Sequence, residues 1–267
     1  MEKNTKNKKE PKRLSSALRN FFGVGDAGFV LMSNIETFYF MDFLTGLGGF
    51  TPVIAGLINS VFSTVDACLS WIYGGILNGT KAKKWGRYRS WLILTPWIVP
   101  FLFAFQFIRI SENEMLSAVI IIAAAIVSHV VWNIGYVANA TLVSVVGKTP
   151  EDKATLSSSR ATWNNIGGLL FSYMGLPLAN LLAGIIGEQN KFAAAAFCLG
   201  ILMALGYFAH FKMTDGYEEI EDASHAKAAQ TNKTSIPEMF RSLFQNPQLL
   251  ILMIADLAKW CVKFVTA

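Results

Sequence analysis

Long stretches free of charge alternate along this chain with short polar segments dense in lysine and arginine. Residues 91–108 (WLILTPWIVPFLFAFQFI), 116–146, 161–187 and 192–209 contain no Asp, Glu, Lys or Arg. A helix needs about 20 mostly apolar residues to cross the hydrocarbon of a bilayer. A lone strand leaves its backbone groups unsatisfied in lipid, so each run reads as a helix. The pattern predicts spans at roughly 21–45, 51–78, 90–110, 115–147, 161–187, 191–211 and 247–267. The first holds Asp26, Glu36 and Asp42; its aromatic stretch TFYF (residues 37–40) and the count it completes keep it among the spans. The expected fold class is an all-α membrane protein.

Composition strengthens this picture. Of 267 residues, 53% are hydrophobic and 15% charged, against about 25% charged in soluble domains. The net charge of +5 brings no Cys/His cluster or other nucleic-acid motif with it, so no nucleic-acid partner is expected. Its distribution has another meaning. Basic residues crowd the N-terminal segment (Lys3 to Arg19), the second loop (Lys81 to Arg89), the fourth (Lys148, Lys153, Arg160) and the sixth (Lys212, Lys227, Lys233, Arg241). The intervening loops carry Arg109 and Lys191. Basic loops stay in the cytoplasm, so the N-terminus is expected there, on a multi-pass protein of the cell membrane. Cys68, Cys198 and Cys261 lie in apolar runs, far apart, with neither metal spacing nor a disulfide framework. No phosphate loop, nucleophile elbow or paired-histidine motif is present, so the chain reads as neither an enzyme nor a metal or cofactor protein.

The domains expected are a tail (1–20), a six-helix lobe (21–211), a hydrophilic inter-lobe linker (212–246) and the beginning of a seventh helix (247–267). Because that seventh span stops at Ala267, the chain is read as lacking a second lobe.

Ionisable side chains within spans cost roughly 2.5–3.5 kcal/mol each at a helix centre and mark cavities or partners. Asn59, Ser63, Asp66, Ser70 and Tyr73 are spaced 4-3-4-3, which places them on one helix face. That face either lines a polar cavity that binds a cation or polar solute, or forms a hydrogen-bonded helix seam. His129, Asn133 and Tyr136 repeat the spacing in the fourth span, followed by Asn139, Thr141 and Ser144. His129 reads as a packing residue more readily than as a proton relay. Arg160 and Asn164 share a face; Arg160 either binds a hydroxyl-rich ligand or snorkels to the interface. Trp132 and Trp163 adjoin these polar faces and are candidates for stacking on a sugar ring.

The stretch 66–91 (DACLSWIYGGILNGTKAKKWGRYRSW) closely resembles a segment of the glycoside–pentoside–hexuronide:cation symporters, the melibiose-permease-like branch of the major facilitator superfamily. The family pattern is roughly D-A-x-x-D-P-x-x-G, then a loop ending K/R-W/Y-G-R/K-F/Y-R-P-W. Asp66, Ala67 and Gly74 match, as do Lys84, Trp85, Gly86, Arg87, Tyr88, Arg89 and Trp91. GVGDAG at 23–28 is similar to the family's G-x-G-D-x-G, DKATLSSSR at 152–160 to its loop into helix five, and NPQLL at 246–250 to the start of its helix seven. The resemblance implies the N-terminal lobe of a twelve-helix carrier that moves a sugar or glycoside with H+ or Na+ by alternating access, and needs a C-terminal lobe and membrane lipid as partners. It assigns Arg160 to the sugar, Asp26 to the helix-one side of the sugar's path, Asp66 to the cation, and the 81–89 loop, with Lys84, Gly86, Arg87 and Arg89, to a cytoplasmic gate; the polar faces add Tyr136, Trp163 and Asn164 to the expected sugar contacts and Ser70 and Asn133 to the expected cation site. The chain departs from the pattern at Ser70 (Asp), Trp71 (Pro), Val30 (Asn) and Tyr136 (acid or amide). One carboxylate holds Na+ less readily than two, because hard cations want several oxygens. The expectation is therefore that coupling is by H+, or is weakened, with Ser70 and Asn133 offering neutral oxygens. The alternative reading is a receptor or sensor that kept the fold and lost transport.

Overall fold

The computed structural model describes residues 13–79, 84–218, 245–248, 250–255 and 258. Every regular element among them is helical. The chain divides into two units at Ile220. In the second, described residues 247, 248, 250–255 and 258 are helical. Ser70, Trp71, Ile72 and Asn78 are placed as helix, but their side chains lie outside the described structure, as do the N-terminal residues 1–12 and linker residues 219–244.

In the first unit the chain enters helix earlier than hydropathy predicts. Ser15 caps α1 (Ser16–Phe21), its Oγ accepting the Leu18 N–H at 3.2 Å. Most of α1 thus lies within residues 1–20, the stretch expected as the tail. After a bend at Phe22 and Gly23, α2 runs Val24–Asp42 and continues through a π-helical turn, Phe43–Leu47. The next helix, α3 (Pro52–Gly79), starts where Thr51 Oγ1 accepts the Ile54 N–H at 3.4 Å.

The third span is not one helix over 90–110. It is α4 (Trp91–Leu94) and α5 (Val99–Phe105), with turns between them and after. Pro96 and Pro100 lie at the break. Proline lacks the N–H that continues a helical ladder, and its ring clashes with the preceding turn. Then follow α6 (Glu114–Val146), capped by Asn113, and α7 (Pro150–Ile186). The stretch 152–160, expected as a loop, is the first part of α7. Thr149 caps it by accepting the Asp152 N–H at 3.1 Å, Pro150 occupies the first turn, and Glu151 and Asp152 favour the helix N-terminus. A 3₁₀ turn (Glu188–Asn190) leads to α8, Lys191–Met213, two residues beyond its expected end.

Among the described residues, four helical stretches are long and apolar enough to cross a membrane: Pro52–Leu69, Glu114–Val146, Pro150–Ile186 and Glu188–Met213. The first span falls outside that set with its three carboxylates, and the third because its helices are short.

Helix α2 packs against α7 and α8, α3 against α6, and α5 against both α6 and α8. Phe40, Phe43, Phe62 and Phe107 pack edge-on or stacked at the meeting of α2, α3 and the end of α5. Meanwhile Val53, Leu57, Leu169, Leu181 and Ile185 face outward, as suits lipid contact. At one end of the unit, Gln189 Nε2 donates to the Leu47 carbonyl at 2.8 Å, and Arg109 donates to the carbonyls of Gly48, Ser111 and Glu112. At the other, Tyr217 joins Arg13 and Ser15, and Arg89 joins Phe211. Segments 13–15, 84–90 and 214–218 therefore meet at one end.

Candidate functional site

The GVGDAG motif is where α2 comes closest to its neighbours. A side chain at Gly23 would meet the backbone of Ser159 and Arg160 at 2.6–2.7 Å. One at Gly25 would meet the Tyr207 ring at 2.6 Å, and one at Gly28 the Met203 Cα at 2.7 Å. Small residues let helix backbones approach this closely in a membrane. They clamp α2 between α7 and α8 and seal Asp26, which is completely buried.

Arg160 reaches Asp26 from α7 with a two-pronged contact, Nε to Oδ2 at 2.9 Å and Nη2 to Oδ1 at 2.6 Å. From α6, Asn139 Nδ2 donates to Oδ1 at 3.1 Å. So Arg160 does not snorkel; it neutralises a buried carboxylate in the bidentate geometry suited to guanidinium. The Tyr136 ring lies 5.8 Å from the guanidinium carbon, within cation–π range. Tyr207 brings a buried hydroxyl with no hydrogen-bond partner among the described residues.

Ten residues along α2, about 15 Å of helix rise, stands Glu36. Ten residues back along α6 from Asn139 stands His129. They meet: His129 Nε2 lies 2.9 Å and 3.0 Å from the two Glu36 carboxylate oxygens. The other ring nitrogen, Nδ1, lies 3.3 Å from Asp66 Oδ2 on α3. Asp66 Oδ1 accepts from Tyr73 Oη at 2.7 Å and Asn133 Nδ2 at 3.4 Å. Glu36 Oε2 accepts from Gln106 Nε2 at 2.7 Å. Between the two polar layers Phe29 stacks on Trp132 (4.9 Å) and Tyr136 (4.4 Å). The interior thus has two charged layers with aromatic rings between them.

The expected site residues divide accordingly. Asp26, Tyr136 and Arg160 are brought together. Trp163 turns to α1, donating its ring N–H to the Asn20 carbonyl at 2.7 Å and lying against Phe21. Asn164 is half-buried four residues beyond Arg160. Asp66 and Asn133 are joined, but Asn133 turns its amide nitrogen toward Asp66 rather than offering an oxygen, and the Ser70 side chain is outside the described residues. In the loop, Lys84 is exposed. Gly86 has φ +100°, a conformation glycine adopts without strain. The Glu218 carboxylate accepts the backbone N–H groups of Arg87 (2.6 Å), Tyr88 (2.9 Å) and Arg89 (3.0 Å). Arg89 is buried, donating to Thr214 Oγ1 (3.2 Å) and the Phe211 carbonyl (2.9 Å), and lies 2.7 Å from Asp215 Oδ1. The loop is thus tied to the end of α8.

Glu36, Gln106 and Tyr207 were not among the expected site residues. Glu36 and Gln106 carried a usable signal, being polar within apolar spans. Tyr207 carried a weaker one, following Gly206 on the face that meets Gly25.

Helices of membrane length enclosing paired charges mark a multi-pass membrane protein. The chain belongs to the family described as MFS/sugar transport protein, which matches residues 21–267, in the glycoside–pentoside–hexuronide symporter branch of the major facilitator superfamily. It is 26% identical over 251 residues to "Inner membrane symporter YicJ" of Escherichia coli (strain K12), covering 91% of this chain and 51% of that protein. It is 23% identical over 238 residues to "Putative sulfoquinovose importer" of the same organism, covering 88% and 49%. To "Uncharacterized symporter YjmB" of Bacillus subtilis (strain 168) it is 23% identical over 249 residues, covering 91% and 51%. The chain spans about half the length of the curated relatives it matches. These relatives are named as transporters, and the receptor reading gains no support from them.

Proposed function

We propose that this chain is the N-terminal lobe of a secondary carrier that moves a sugar or glycoside across the cell membrane, coupled to a cation and working by alternating access. The observation that carries this reading is the pair of charged layers, Asp26–Arg160–Asn139 and Glu36–His129–Asp66, buried among apolar helices. A lobe built only to span lipid has no use for them, because each buried charge is costly without a partner.

In this reading a C-terminal lobe completes the solute site. Arg160, with Tyr136 and Asn164 beside it, meets sugar hydroxyls, and Asp26 holds the guanidinium in place; Trp163 orients α1 at the mouth. Asp66, Ser70 and Asn133 lie at the cation layer. Lys84, Gly86, Arg87 and Arg89 form the loop that ties α8 down when the cytoplasmic side is closed. The N-terminus lies in the cytoplasm, following the basic segments that meet at one end of the lobe.

The test is uptake of a panel of labelled sugars and glycosides by proteoliposomes containing the full-length protein. Accumulation of at least one solute under an inward cation gradient is expected, with loss in Arg160→Ala. Uptake unaffected by that change would remove Arg160 from the solute site.

A further inference from the structure

Charge inside the first unit is unevenly matched. The charged side chains that meet there are Asp26 and Arg160 in one layer, and Glu36, Asp66 and the His129 ring in the other. Helices α2, α3, α5 and α6 contain neither Lys nor Arg. The lysines of α7 and α8 (Lys153, Lys191 and Lys212) stand in first or last turns. Three carboxylates therefore face one guanidinium and one imidazole. With the carboxylates ionised, this interior is net negative whether or not the ring is protonated.

Arg160, its fixed cation, is already engaged. The Nε–Nη2 edge grips Asp26 with two bonds, the grip that a guanidinium otherwise gives a solute carboxylate or sulfonate. Nη1 makes no hydrogen bond among the described residues. Its hydrogens suit a neutral acceptor such as a hydroxyl oxygen. An oxyanion brought to Nη1 would also stand beside the Asp26 carboxylate, so attraction by one partner is offset by repulsion from the other. Asp26 is fully buried, and a buried charge is screened far less than an exposed one. Tyr136, Asn139 and Asn164, the other polar groups of this layer, offer hydrogen bonds without charge.

Resting on the carrier reading above, we propose that the solute is an uncharged sugar or glycoside, and that this lobe turns away a uronate or sulfonate of the same shape by charge. A sugar hydroxyl accepts from Arg160 Nη1 while Asp26 keeps the Nε–Nη2 edge. A neutral solute adds nothing to the negative interior. An anionic one needs a further cation, which the described helices do not place there. Of the three solute kinds in the branch's name, hexuronides are the acids, and they are excluded here.

The test uses proteoliposomes containing the full-length protein and matched nitrophenyl glycosides that differ at one carbon: a hexoside, its uronamide and its uronate. Gluco, galacto and manno series are taken in both anomers. Entry is followed by counterflow, which needs no cation gradient, at about pH 7, where a uronate is ionised. The uronamide has nearly the shape of the uronate and no charge, so their ratio isolates charge from fit. In a series whose hexoside enters, the uronamide should follow it and the uronate should enter at least about tenfold less well, a difference of roughly 1.4 kcal/mol. Asp26→Asn leaves the Arg160 charge uncompensated and should raise the uronate relative to the uronamide, in protein that keeps the wild-type size-exclusion profile. The wild-type ratio stands without that variant. Uronate entry equal to or above that of the uronamide would overturn the charge selection and leave the carrier reading standing. Entry of no compound in any series would overturn the carrier reading, and this proposal with it.

Discussion

Replacing Arg160 with alanine removes both hydrogen bonds that neutralise Asp26 and leaves only the amide of Asn139 on a carboxylate that no water reaches. Breaking a buried ion pair from one side costs roughly 3–5 kcal/mol, because the surviving charge keeps its desolvation penalty. At roughly 2–4 °C per kcal/mol for a unit of this size, the apparent Tm should fall by about 6–20 °C. Thermal unfolding in a mild detergent, followed by tryptophan fluorescence, reads this. Removing the charge from both partners, in Asp26→Asn with Arg160→Gln, should recover more than half of the loss. The two single changes should therefore be strongly non-additive. A double variant as unstable as the sum of the single ones would refute the pairing argument, and so would an Arg160→Ala protein within about 1 kcal/mol of wild type.

The same geometry makes other predictions. Gly28→Val places a side chain against the Met203 backbone, where an added Cβ would lie 2.7 Å from the Met203 Cα; it should abolish a monodisperse peak in size-exclusion chromatography. Gly168→Ala, where an added Cβ would meet nothing within 4 Å, should be neutral or stabilise by about 0.5–1 kcal/mol. Glu218→Ala removes a carboxylate that accepts three backbone N–H groups, so amides 87–89 should exchange with deuterium roughly tenfold faster or more. Asp66→Asn keeps the size of the side chain but removes its charge opposite His129; it should end cation-driven accumulation while leaving sugar exchange measurable in counterflow.

Local spacing made part of this site legible. The 4-3-4-3 stripe puts Asp66 and Tyr73 on one face, and they are hydrogen-bonded at 2.7 Å. The same reasoning groups His129, Asn133 and Tyr136 on α6. Spacing within a helix does not say which face meets which partner, so the Glu36–His129 contact, 93 positions apart, stayed hidden. His129 accordingly read as a packing residue, and the carboxylate that binds it as an ambiguous acid. Hydropathy also reported the third span as continuous, because it scores side chains and is blind to the N–H that Pro96 and Pro100 lack. The reverse error occurred at 152–160, whose charges excluded it from a span even though Thr149 and Pro150 are strong helix-start residues.

Gradient-driven uptake reads solute binding and cation coupling in one assay. Full-length protein in tight proteoliposomes would be given a labelled glycoside panel under an inward H+ gradient, an inward Na+ gradient, or none. A sugar should accumulate above its outside concentration under the H+ gradient, and this should be abolished in both Asp66→Asn and Arg160→Ala. Accumulation that ignores both gradients, or that survives both substitutions, would contradict the carrier reading.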